Sequence, residues 1–448
     1  MQRWLGCALF LATLLFTLDA RATRYWVSTT GNDANSCALA SQVDGAGNPT
    51  APRKTPLQGA ACLTAAGDRL TIKAGIYTGS GATVYENVVT VANGSAGNPT
   101  IIEGEGADGC ALSHTCPTVF RLSNTGGATG AFNLESASYV TIRKLEIDDT
   151  GWTANDSCLR LGGQNSNVTV EDVEVHHCSD NGIFQSGTFA NRSTNLVLRR
   201  INTHHAGLNG ASQNPAHGCY LNGDSTLIED SMLHDNGNGT VHNNLGCQCY
   251  SSAPDGSGNA EFNMANNCTV RRNAFYNNDG DAIAFDGANV LFYDNLVYNN
   301  LRGVALGYTG YQLPSGSRFF NNTIYGNTGA AFQCGIFAAS PSSCAMSNNI
   351  LLANGAPYQM GSGWTNSGVA SSNKTTGTIT DCTISTSDFH LKPGANACVD
   401  TGITLAEVTT DKDGGMRGPG PYDIGAYERD SVPPSTKRPS PPANLTVH

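Results

Sequence analysis

The segment NNDGDAIAFDG, residues 277–287, places three aspartates within eight positions. Clustered carboxylates are ligands that calcium prefers, and calcium binds roughly six to eight oxygen atoms in proteins. Asp279, Asp281 and Asp286 could therefore form the core of a Ca²⁺ site, although three carboxylates do not complete it. A second interpretation is equally open, since Asp279 beside Gly280 is typical of a polar turn and Asp286 then simply faces outwards.

Histidine and tyrosine side chains recur at a wider spacing around this segment. The set is His176, His177, His204, His205, His234, Tyr276, Tyr298 and Tyr325, with Asp235 directly after His234. Imidazole titrates near neutral pH, so one of these histidines could act as a general base. The rings could also stack on sugars, bind a divalent metal, or form a purely structural column along a surface. The sequence leaves these four interpretations open.

The spacing follows from an internal repeat. Eight segments align without gaps: IRKLEIDDT from Ile142, VEDVEVHHC from Val170, LRRINTHHA from Leu198, IEDSMLHDN from Ile228, VRRNAFYNN from Val270, FYDNLVYNN from Phe292, FFNNTIYGN from Phe319 and MSNNILLAN from Met346. The intervals are 28, 28, 30, 42, 22, 27 and 27 residues. Strand-rich units of this length stack into a solenoid, with coils ~4.8 Å apart. The sequence therefore predicts an all-β fold, a parallel β-helix.

Stacking requires that equivalent positions form sensible columns. The ninth position is asparagine in five successive coils, and asparagine amides can bond one to the next along a stack. Charge alternates in sign in the second and third columns, as like charges at strand spacing would repel each other. The alternating residues are Arg143, Glu171, Arg199, Glu229 and Arg271, and then Lys144, Asp172, Arg200, Asp230, Arg272 and Asp294. We interpret these charges as structural.

Arg302, in NNLRGVALG, follows the aspartate segment by one coil and should lie nearly above Asp281. A guanidinium group there could bind a substrate carboxylate through two hydrogen bonds or act as a base. A salt bridge from Arg302 to Asp281 or Asp279 is the competing interpretation. No lysine occurs between Lys144 and Lys374, which excludes a lysine base in the central coils.

His217, in PAHGCYLNG, occupies the same position after the turn as Arg302. The 42-residue interval inserts a cysteine-containing segment that carries His242 and Tyr250. A long loop between repetitive coils is where a solenoid builds the wall of a cleft. The candidate residues are therefore expected to converge on the coils from His204 to Arg302.

Segments at both ends of the chain complete the pattern: YWVSTTGNDAN, TPLQGAACLTAAGDRLTIKAGIYTG and NGSAGNPTIIEGEG near the start, and SDFHLKPGANACVDTGI and DKDGGMRGPGPYDIGAYE near the end. With the repeats, over roughly residues 25–428, the chain resembles the secreted right-handed parallel β-helix proteins of the pectate lyase-like superfamily. The resemblance implies a right-handed parallel β-helix with an N-terminal cap and a C-terminal closing segment. It leaves function open, because the superfamily includes lyases, hydrolases, epimerases and members without an assigned activity.

The calcium-dependent lyases of that superfamily use clustered aspartates at such turns, which NNDGDAIAFDG resembles. A lysine or an arginine on a neighbouring coil serves as their base. The missing lysine is a departure from the lysine-dependent pattern, and it leaves Arg302 as the matching residue.

Composition indicates export. Residues 1–22 have a basic start, an apolar core and a small-residue cleavage site, typical of a signal peptide, with an uncleaved anchor as the alternative. Cleavage leaves 14 cysteines and changes the formal charge from −11 to −12, because two arginines and one aspartate are removed. This acidic balance argues against a nucleic-acid partner. The predicted disulfides are Cys37–Cys62, Cys110–Cys116, Cys158–Cys178, Cys334–Cys344 and Cys382–Cys398, with two more among Cys219, Cys247, Cys249 and Cys268.

Other chemistries have less support. Glycoside hydrolysis needs two carboxylates about 5–5.5 Å or 6.5–9.5 Å apart, which Asp281 with Asp286 or Asp235 could provide. No GxSxG sequence of a serine esterase and no glycine-rich phosphate loop followed by a helix occurs.

We therefore predict a monomeric extracellular or periplasmic protein that acts on an extracellular polysaccharide, has no membrane span after signal cleavage, and cleaves a uronate-containing chain by β-elimination. The alternatives are a non-catalytic adhesin-like solenoid and a carbohydrate-binding solenoid. The predicted divisions are 1–22 (signal peptide), 23–135 (cap and first coils), 136–360 (central coils), 361–429 (closing segment) and 430–448 (proline-rich tail). The predicted site residues are Asp279, Asp281 and Asp286 for Ca²⁺, Arg302, His217, His204 and His234 for catalysis, and Tyr276, Tyr298, His205 and His242 for sugar binding.

Overall fold

The computed structural model describes residues 22–78, 88–89, 91–121, 132–150, 157–187, 191–207, 216–237, 244–250, 265–307, 315–334, 343–360, 365–368 and 372–431. Residues 1–21 of the predicted signal peptide and most of the predicted tail lie outside these ranges, as does His242. Among the described residues, no helix has the length and apolar character needed to cross a membrane.

Short strands make up most of the described chain. The strands up to the third repeat are β1 (Arg24–Val27), β2 (Arg69–Ile72), β3 (Gly75–Thr78), β4 (Val88–Val89), β5 (Thr100–Gly104), β6 (Thr118–Arg121), β7 (Phe132–Glu135), β8 (Val140–Asp148), β9 (Leu159–Gly162), β10 (Thr169–His176), β11 (Ile183–Gln185), β12 (Val197–Arg199), β13 (Asn202–His204) and β14 (Cys219–Leu221). Two short helices, α1 (Cys37–Ala40) and α2 (Pro56–Ala60), lie between β1 and β2.

The remaining strands continue the same pattern towards the C terminus. They are β15 (Leu227–Glu229), β16 (Met232–His234), β17 (Cys247–Cys249), β18 (Thr269–Arg271), β19 (Ala274–Tyr276), β20 (Asp281–Phe285), β21 (Leu291–Tyr293), β22 (Leu296–Tyr298), β23 (Arg302–Leu306), β24 (Ser317–Phe320), β25 (Thr323–Tyr325), β26 (Ala330–Cys334), β27 (Ser343–Ser347), β28 (Ile350–Leu352), β29 (Ala356–Met360) and β30 (Thr365–Gly368). A single 3₁₀ turn, Ile379–Asp381, follows them in the described residues.

Each central coil contributes three strands to two parallel sheets. In one coil, β12 and β13 belong to a 20-stranded sheet and β14 belongs to a ten-stranded sheet. Equivalent residues of successive coils pair in register, as in Val170 with Leu198 and Leu198 with Ile228. The predicted alignment of the repeats is therefore confirmed, and so is the parallel β-helix.

Left-handed residues produce the bends between the strands. The backbone φ angle is +50° at Arg200 and +55° at His205, on either side of β13. A third bend precedes β12 at Asn195, where φ is +56°. Aspartate and asparagine tolerate this conformation better than β-branched residues do. The abundance of asparagine and of short polar residues therefore follows from three bends in each coil.

Asparagine ladders run through the interior beside two of these bends. The predicted ladder is confirmed: the Nδ2 groups of Asn236, Asn278, Asn300 and Asn327 donate to the next asparagine along the stack, at distances of 2.8, 2.8, 3.1 and 2.8 Å. A second, unpredicted ladder runs through Asn273, Asn295, Asn322, Asn349 and Asn373. Both ladders satisfy buried backbone groups at the bends.

Replacing Asn300 by alanine should destabilise the fold. Asn300 is 2% exposed, its amide donates to the carbonyls of Phe275 and Tyr298, and its oxygen accepts from the backbone of Asn278. Because several buried groups lose their partners together, we expect the free energy of unfolding to fall by about 3 kcal/mol. Chemical denaturation measures this loss. The exposed Asn396→Ala is the control and should change stability by less than about 0.5 kcal/mol; equal effects would refute the structural role of the ladder.

The charged columns are also confirmed. Arg200 Nε donates to Asp172 Oδ1 at 2.7 Å, and Arg272 Nε donates to Asp230 Oδ1 at 2.8 Å. In the neighbouring column, Arg199 contacts Glu229 at 2.6 Å. These pairs link successive coils at one bend of the solenoid.

The described residues form five disulfides. Four of them are predicted bridges, and the fifth joins Cys219 to Cys247, two of the cysteines whose connectivity the sequence left open. The predicted Cys334–Cys344 bridge is not formed, since the sulfur atoms lie 3.9 Å apart and a disulfide needs about 2.05 Å. The two thiols belong to β26 and β27, which lie in different sheets. Cys249 and Cys268 also remain buried thiols, so only one of the two further predicted bridges forms.

Residues after the last strand pack against the outer face of the second strands of the C-terminal coils. Phe389, Leu391 and Tyr427 cover Leu296 and Leu352 in one apolar cluster. The side chain of Arg417, in the same segment, is fully buried and contacts Asp294 at 2.6 Å and Glu428 at 2.7 Å. The segment therefore closes the C-terminal half of this face.

His390, in the same segment, should make the stability of the protein depend on pH. Its hydrogen bonds to Asp413 and Asp388, at 3.0 and 2.7 Å, raise the pKa of His390 to about 9. Because the folded pKa lies above the unfolded value of about 6.5, the stabilisation is present below about pH 6.5 and is lost as the pH rises through about 9. We expect about 1 kcal/mol, since the half-exposed side chain is screened by solvent.

Urea denaturation over this pH range, compared between the wild type and His390→Gln, measures that contribution. The difference in stability between the two proteins should shrink as the pH rises. A difference that stays constant from acid to alkaline pH would contradict the assignment.

Candidate functional site

The connections that lead into and out of β17, at the two edges of the ten-stranded sheet, are long. Twelve residues separate His234 in β16 from Cys247 in β17, and 19 residues separate Cys249 from Thr269 in β18. By contrast, two residues separate β15 from β16. Long connections at both edges of one sheet are where a solenoid can build walls. The outer face of the ten-stranded sheet is therefore the best position for a cleft.

Tyr220 lies at the centre of an aromatic group on this face. Its ring stacks on His217 with centroids 5.5 Å apart and an angle of 5°, and it lies 5.7 Å from Phe184 in the preceding coil. The ring of Tyr250, in the following coil, lies 5.1 Å away, and the side chains of Tyr220 and Tyr250 form a hydrogen bond. Three successive coils thus contribute to one cluster.

The electrostatics of this group keep the Tyr220 phenol protonated. Burial raises the pKa of Tyr220, and the neighbouring Tyr250, Asp286 and Asp180 raise it further. Burial likewise raises the pKa of the Asp180 carboxyl group, against the hydrogen bonds from Asn181 and Ser157 that lower it. The Asp180 carboxylate, with its raised proton affinity, therefore acts electrostatically on the proton donor Tyr220.

His217 has a different role from the one predicted. It is 2% exposed, and burial lowers its pKa to about 3, so the imidazole is neutral. Its Nδ1 accepts a hydrogen bond from the backbone of Leu245 at 3.1 Å, which places the proton on Nε2, and its side chain also bonds Gln248. The lone pair that a base would use is therefore engaged. His217 supports the ring of Tyr220 instead.

Arg302 and Asp281 lie on the same sheet, towards the other edge. They pair in register between β20 and β23, and Arg302 Nε donates to Asp281 Oδ1. Asp281 is completely buried, whereas the arginine side chain is 26% exposed. Burial raises the pKa of Asp281, and the charge of Arg302 opposes that shift. The predicted salt bridge is therefore present, and the guanidinium group still reaches solvent.

The three aspartates do not form one cluster. Asp281 begins β20 and Asp286 follows its last residue, so an extended strand separates them by roughly 16 Å. Asp279 packs against Gly237 of the preceding coil. Within the described residues, the groups close enough to hold a metal ion are His114, Glu174 and His204, and Asp148, His176 and His177. A Ca²⁺ site that uses all three aspartates is therefore not assembled here, and calcium binding at Asp279 or Asp281 stays a prediction.

The predicted histidine and tyrosine column is present on the 20-stranded sheet. Its rings stack nearly parallel, with centroids 4.9 Å apart for His176 and His204, 5.1 Å for His204 and His234, 4.5 Å for His234 and Tyr276, and 5.0 Å for Tyr276 and Tyr298. His177 and His205 form a second stack at 5.0 Å. Burial lowers the pKa of His204 to about 3, and also lowers that of His205.

This stacking changes the predicted roles. Both faces of Tyr276 are occupied by neighbouring rings, and Phe389 of the C-terminal segment lies 5.2 Å from Tyr298. The predicted sugar platform is therefore wrong for these two tyrosines. His204 and His234 lie on a different sheet from Asp281 and Arg302, so the predicted convergence of all candidates on one cleft is also wrong. The bend after the column turns the two sets onto different faces.

Comparisons with known proteins agree with this architecture. The family described as the right-handed β-helix region matches residues 131–351 and 255–407, more than half of the chain. The chain belongs to the right-handed β-helix family. No curated protein sequence matches it.

Solved β-helix structures align over nearly the whole chain. The pectate lyase Pel9A is 15% identical, with 91% of this chain and 97% of that chain covered and a TM-score of 0.58. XylC in complex with xylose is 10% identical, with coverages of 92% and 99% and a TM-score of 0.55. A rhamnogalacturonan lyase is 13% identical, with coverages of 92% and 96% and a TM-score of 0.52. At these identities the likeness shows the fold, which confirms the predicted right-handed β-helix.

Sequence reasoning missed Tyr220 and Asp180 in this β-helix. Tyr220 occupies the same position of GCYLNG as Phe184 does of GIFQSG, so the repeat contained a signal for an aromatic stack on the third strand. Asp180 precedes Asn181 in the turn before β11, and only its burial distinguishes it from other turn aspartates. Burial is a property of the folded coils, which the repeat does not encode.

Proposed function

We propose that this β-helix protein cleaves a uronate-containing extracellular polysaccharide by β-elimination on the outer face of its ten-stranded sheet. The observation that carries the proposal is the hydrogen-bonded pair of Tyr220 and Tyr250, on the same sheet as the partly exposed guanidinium group of Arg302 and under the electrostatic influence of Asp180. The similarity in fold to a pectate lyase and a rhamnogalacturonan lyase supports the same class of substrate.

β-Elimination needs three groups. A base removes the proton on the carbon next to the carboxyl group, a positive or hydrogen-bonding group stabilises the carboxylate, and an acid protonates the oxygen that leaves. Tyr220 would serve as the acid, since its hydroxyl group stays protonated at neutral pH and can donate a hydrogen bond or a proton to the oxygen that leaves. Asp180 is suited to the base, since burial increases its proton affinity. Of the predicted bases, His217 has no available lone pair, and His204 and His234 lie on another sheet.

Arg302 would bind a different unit of the polymer from the one that reacts. Tyr220 pairs with Gln248, Gln248 with Ala284, and Ala284 with Ala305 in the coil of Arg302. Three coil steps correspond to roughly 14 Å. The guanidinium group therefore holds a carboxylate further along the chain. This assignment favours polymers that carry uronate residues repeatedly.

Glycoside hydrolysis is the second candidate, because two carboxylates, Asp180 and Asp286, both influence Tyr220. Hydrolysis releases reducing ends without a double bond, whereas β-elimination also creates an unsaturated uronate that absorbs ultraviolet light.

The five disulfides support a site of action outside the cytoplasm.

The test is incubation of the purified protein with pectate, alginate and glycosaminoglycans, each with calcium and with a chelator. New ultraviolet absorbance on one polymer is the expected result, and its loss in chelator would add calcium to the mechanism. Reducing ends without absorbance would replace the lyase by the hydrolase. Neither product on any polymer would overturn the enzymatic proposal in favour of a binding or structural solenoid.

A further inference from the structure

A second cluster of chemically active side chains lies on the outer face of the 20-stranded sheet. His114 Nδ1 and His204 Nε2 approach the same oxygen of Glu174, Oε1, at 2.5 and 3.1 Å. The ligand atoms of the three residues all lie within 4.8 Å of one another. Two imidazoles and one carboxylate at this spacing match the protein ligands of zinc sites that keep a coordination position open.

Several contacts place His114 over the sheet. The disulfide between Cys110 and Cys116 closes the loop that carries it. The backbone N–H of Gly109 donates to Asp172 Oδ1 at 2.7 Å, and Asn202 Nδ2 donates to the carbonyl of Ala111 at 3.2 Å. The loop is therefore attached to two successive coils. These contacts hold His114 next to Glu174, although the two residues are 60 positions apart in the sequence.

Glu174 provides an independent indication of a ligand. The residue is 3% exposed, and its second oxygen, Oε2, has no hydrogen-bond partner among the described residues. A buried carboxylate oxygen without a partner is costly, and most such groups in proteins are satisfied. A cation that joins the two imidazoles at this carboxylate would remove that cost.

We propose that His114, Glu174 and His204 bind a divalent transition-metal ion, with zinc as the best match. Imidazole nitrogen and carboxylate oxygen suit zinc, and three protein ligands leave a position for water or another ligand. Calcium is a poorer match, because it prefers a larger set of oxygen ligands.

The surrounding histidines fit a supporting role for this site. His204 Nδ1 lies 2.6 Å from His205 Nδ1, so His204 can donate from Nδ1 to His205 while Nε2 faces the metal. The ring of His176 stacks on His204 at an angle of 3°, which fixes the ring plane. Metal-bound imidazoles in proteins are usually oriented by such a hydrogen bond from the second nitrogen.

The neighbouring group of Asp148, His176 and His177 is a weaker site. Arg121 Nε donates to Asp148 Oδ2 at 2.9 Å, and the backbone of Thr150 donates to Oδ1 at 2.9 Å. The carboxylate charge is therefore already matched by a guanidinium group. This difference selects the group that contains Glu174.

The test uses the full-length protein after removal of metal by a chelator. Titration calorimetry with Zn²⁺ should show one equivalent bound, and Co²⁺ should give the visible absorption of a site with nitrogen ligands. His114→Gln should weaken zinc binding by more than about 100-fold, since loss of a supporting group alone costs about 10–100-fold. Glu174→Gln, which keeps the shape of the side chain, should weaken it as well.

His390→Gln is the matched control, because His390 is also a half-exposed histidine bonded to carboxylates. It should bind zinc like the wild type. Circular dichroism and thermal unfolding show whether each variant is folded, and the half-exposed position of His114 makes its substitution the safer one. The absence of stoichiometric binding in the wild type, or wild-type affinity in His114→Gln, would overturn the proposal. The polysaccharide assay is independent of this outcome, since the two sites lie on different sheets.

Discussion

Tyr220→Phe is expected to lower the rate of product formation by about 100- to 10,000-fold, the range for loss of a general acid. The substitution removes one hydroxyl group and its hydrogen bond to Tyr250 but keeps the ring that stacks on His217 and Phe184. The loss should therefore appear in kcat, with a smaller change in KM. Initial rates on the polymer that the wild type cleaves provide the measurement.

Tyr358→Phe is the matched control for this prediction. Tyr358 lies on β29 of the same sheet, and burial raises its pKa to about 12, but it is far along the solenoid from the aromatic group of Tyr220. Its substitution should leave the rate within about twofold of the wild type, since substitutions away from an active site change a barrier little. Equal losses in both variants, or full activity in Tyr220→Phe, would remove Tyr220 from the mechanism.

Arg417→Met is expected to lower the free energy of unfolding by about 3–5 kcal/mol, the range for breaking a buried ion pair by removing one partner. Arg417 is fully buried and donates to Asp294 Oδ1 at 2.6 Å, to Glu428 Oε2 at 2.7 Å, and to the carbonyl of Ala426 at 3.2 Å. Without the guanidinium group, Asp294 keeps a buried carboxyl group without a cation. Guanidinium chloride denaturation measures the loss.

Arg318→Met separates burial from charge. Arg318 pairs with Glu407 at 2.9 Å, and both side chains are more than a third exposed. Its loss should cost less than about 1 kcal/mol, the range for surface ion pairs. Combining Arg417→Met with Asp294→Leu should recover part of the stability, because the uncompensated carboxyl group is then gone. A loss in Arg417→Met no larger than in Arg318→Met would contradict the proposed anchoring of the C-terminal segment.

Much of the fold was predictable because stacked coils require suitable residue types at regular intervals in the sequence. Each asparagine from Asn236 to Asn354 contacts the equivalent asparagine of the next coil, and each charged residue from Arg143 to Asp294 lies next to an opposite charge. Equivalent positions in the sequence must therefore carry side chains that can bind one another. The repeat therefore predicted the register of the strands, which the pairing of Val170, Leu198 and Ile228 confirms.

The faces of the solenoid were not predictable in the same way. Whether His234 and Asp281 share a cleft depends on the left-handed conformation at Asp235 and at the equivalent Asn277, which bends the chain between two sheets. The repeat in the sequence does not specify the direction of that bend in the chain. His114 was missed for a related reason, since a loop near the N terminus brings it to Glu174 from outside the repeat. Tyr298 was misassigned because the segment that covers it lies about 90 residues later in the chain.

The alternating charges restrict how this solenoid can change length during evolution. Deleting the single coil that contains Arg199 would bring Glu171 against Glu229, and duplicating it would bring two arginines together. Coils in the N-terminal half can therefore be gained or lost only in pairs. The C-terminal half has no such parity, because Asn295, Asn322 and Asn349 each donate and accept in the same way. Relatives of different length should accordingly differ by an even number of coils before Asp294 and by any number after it.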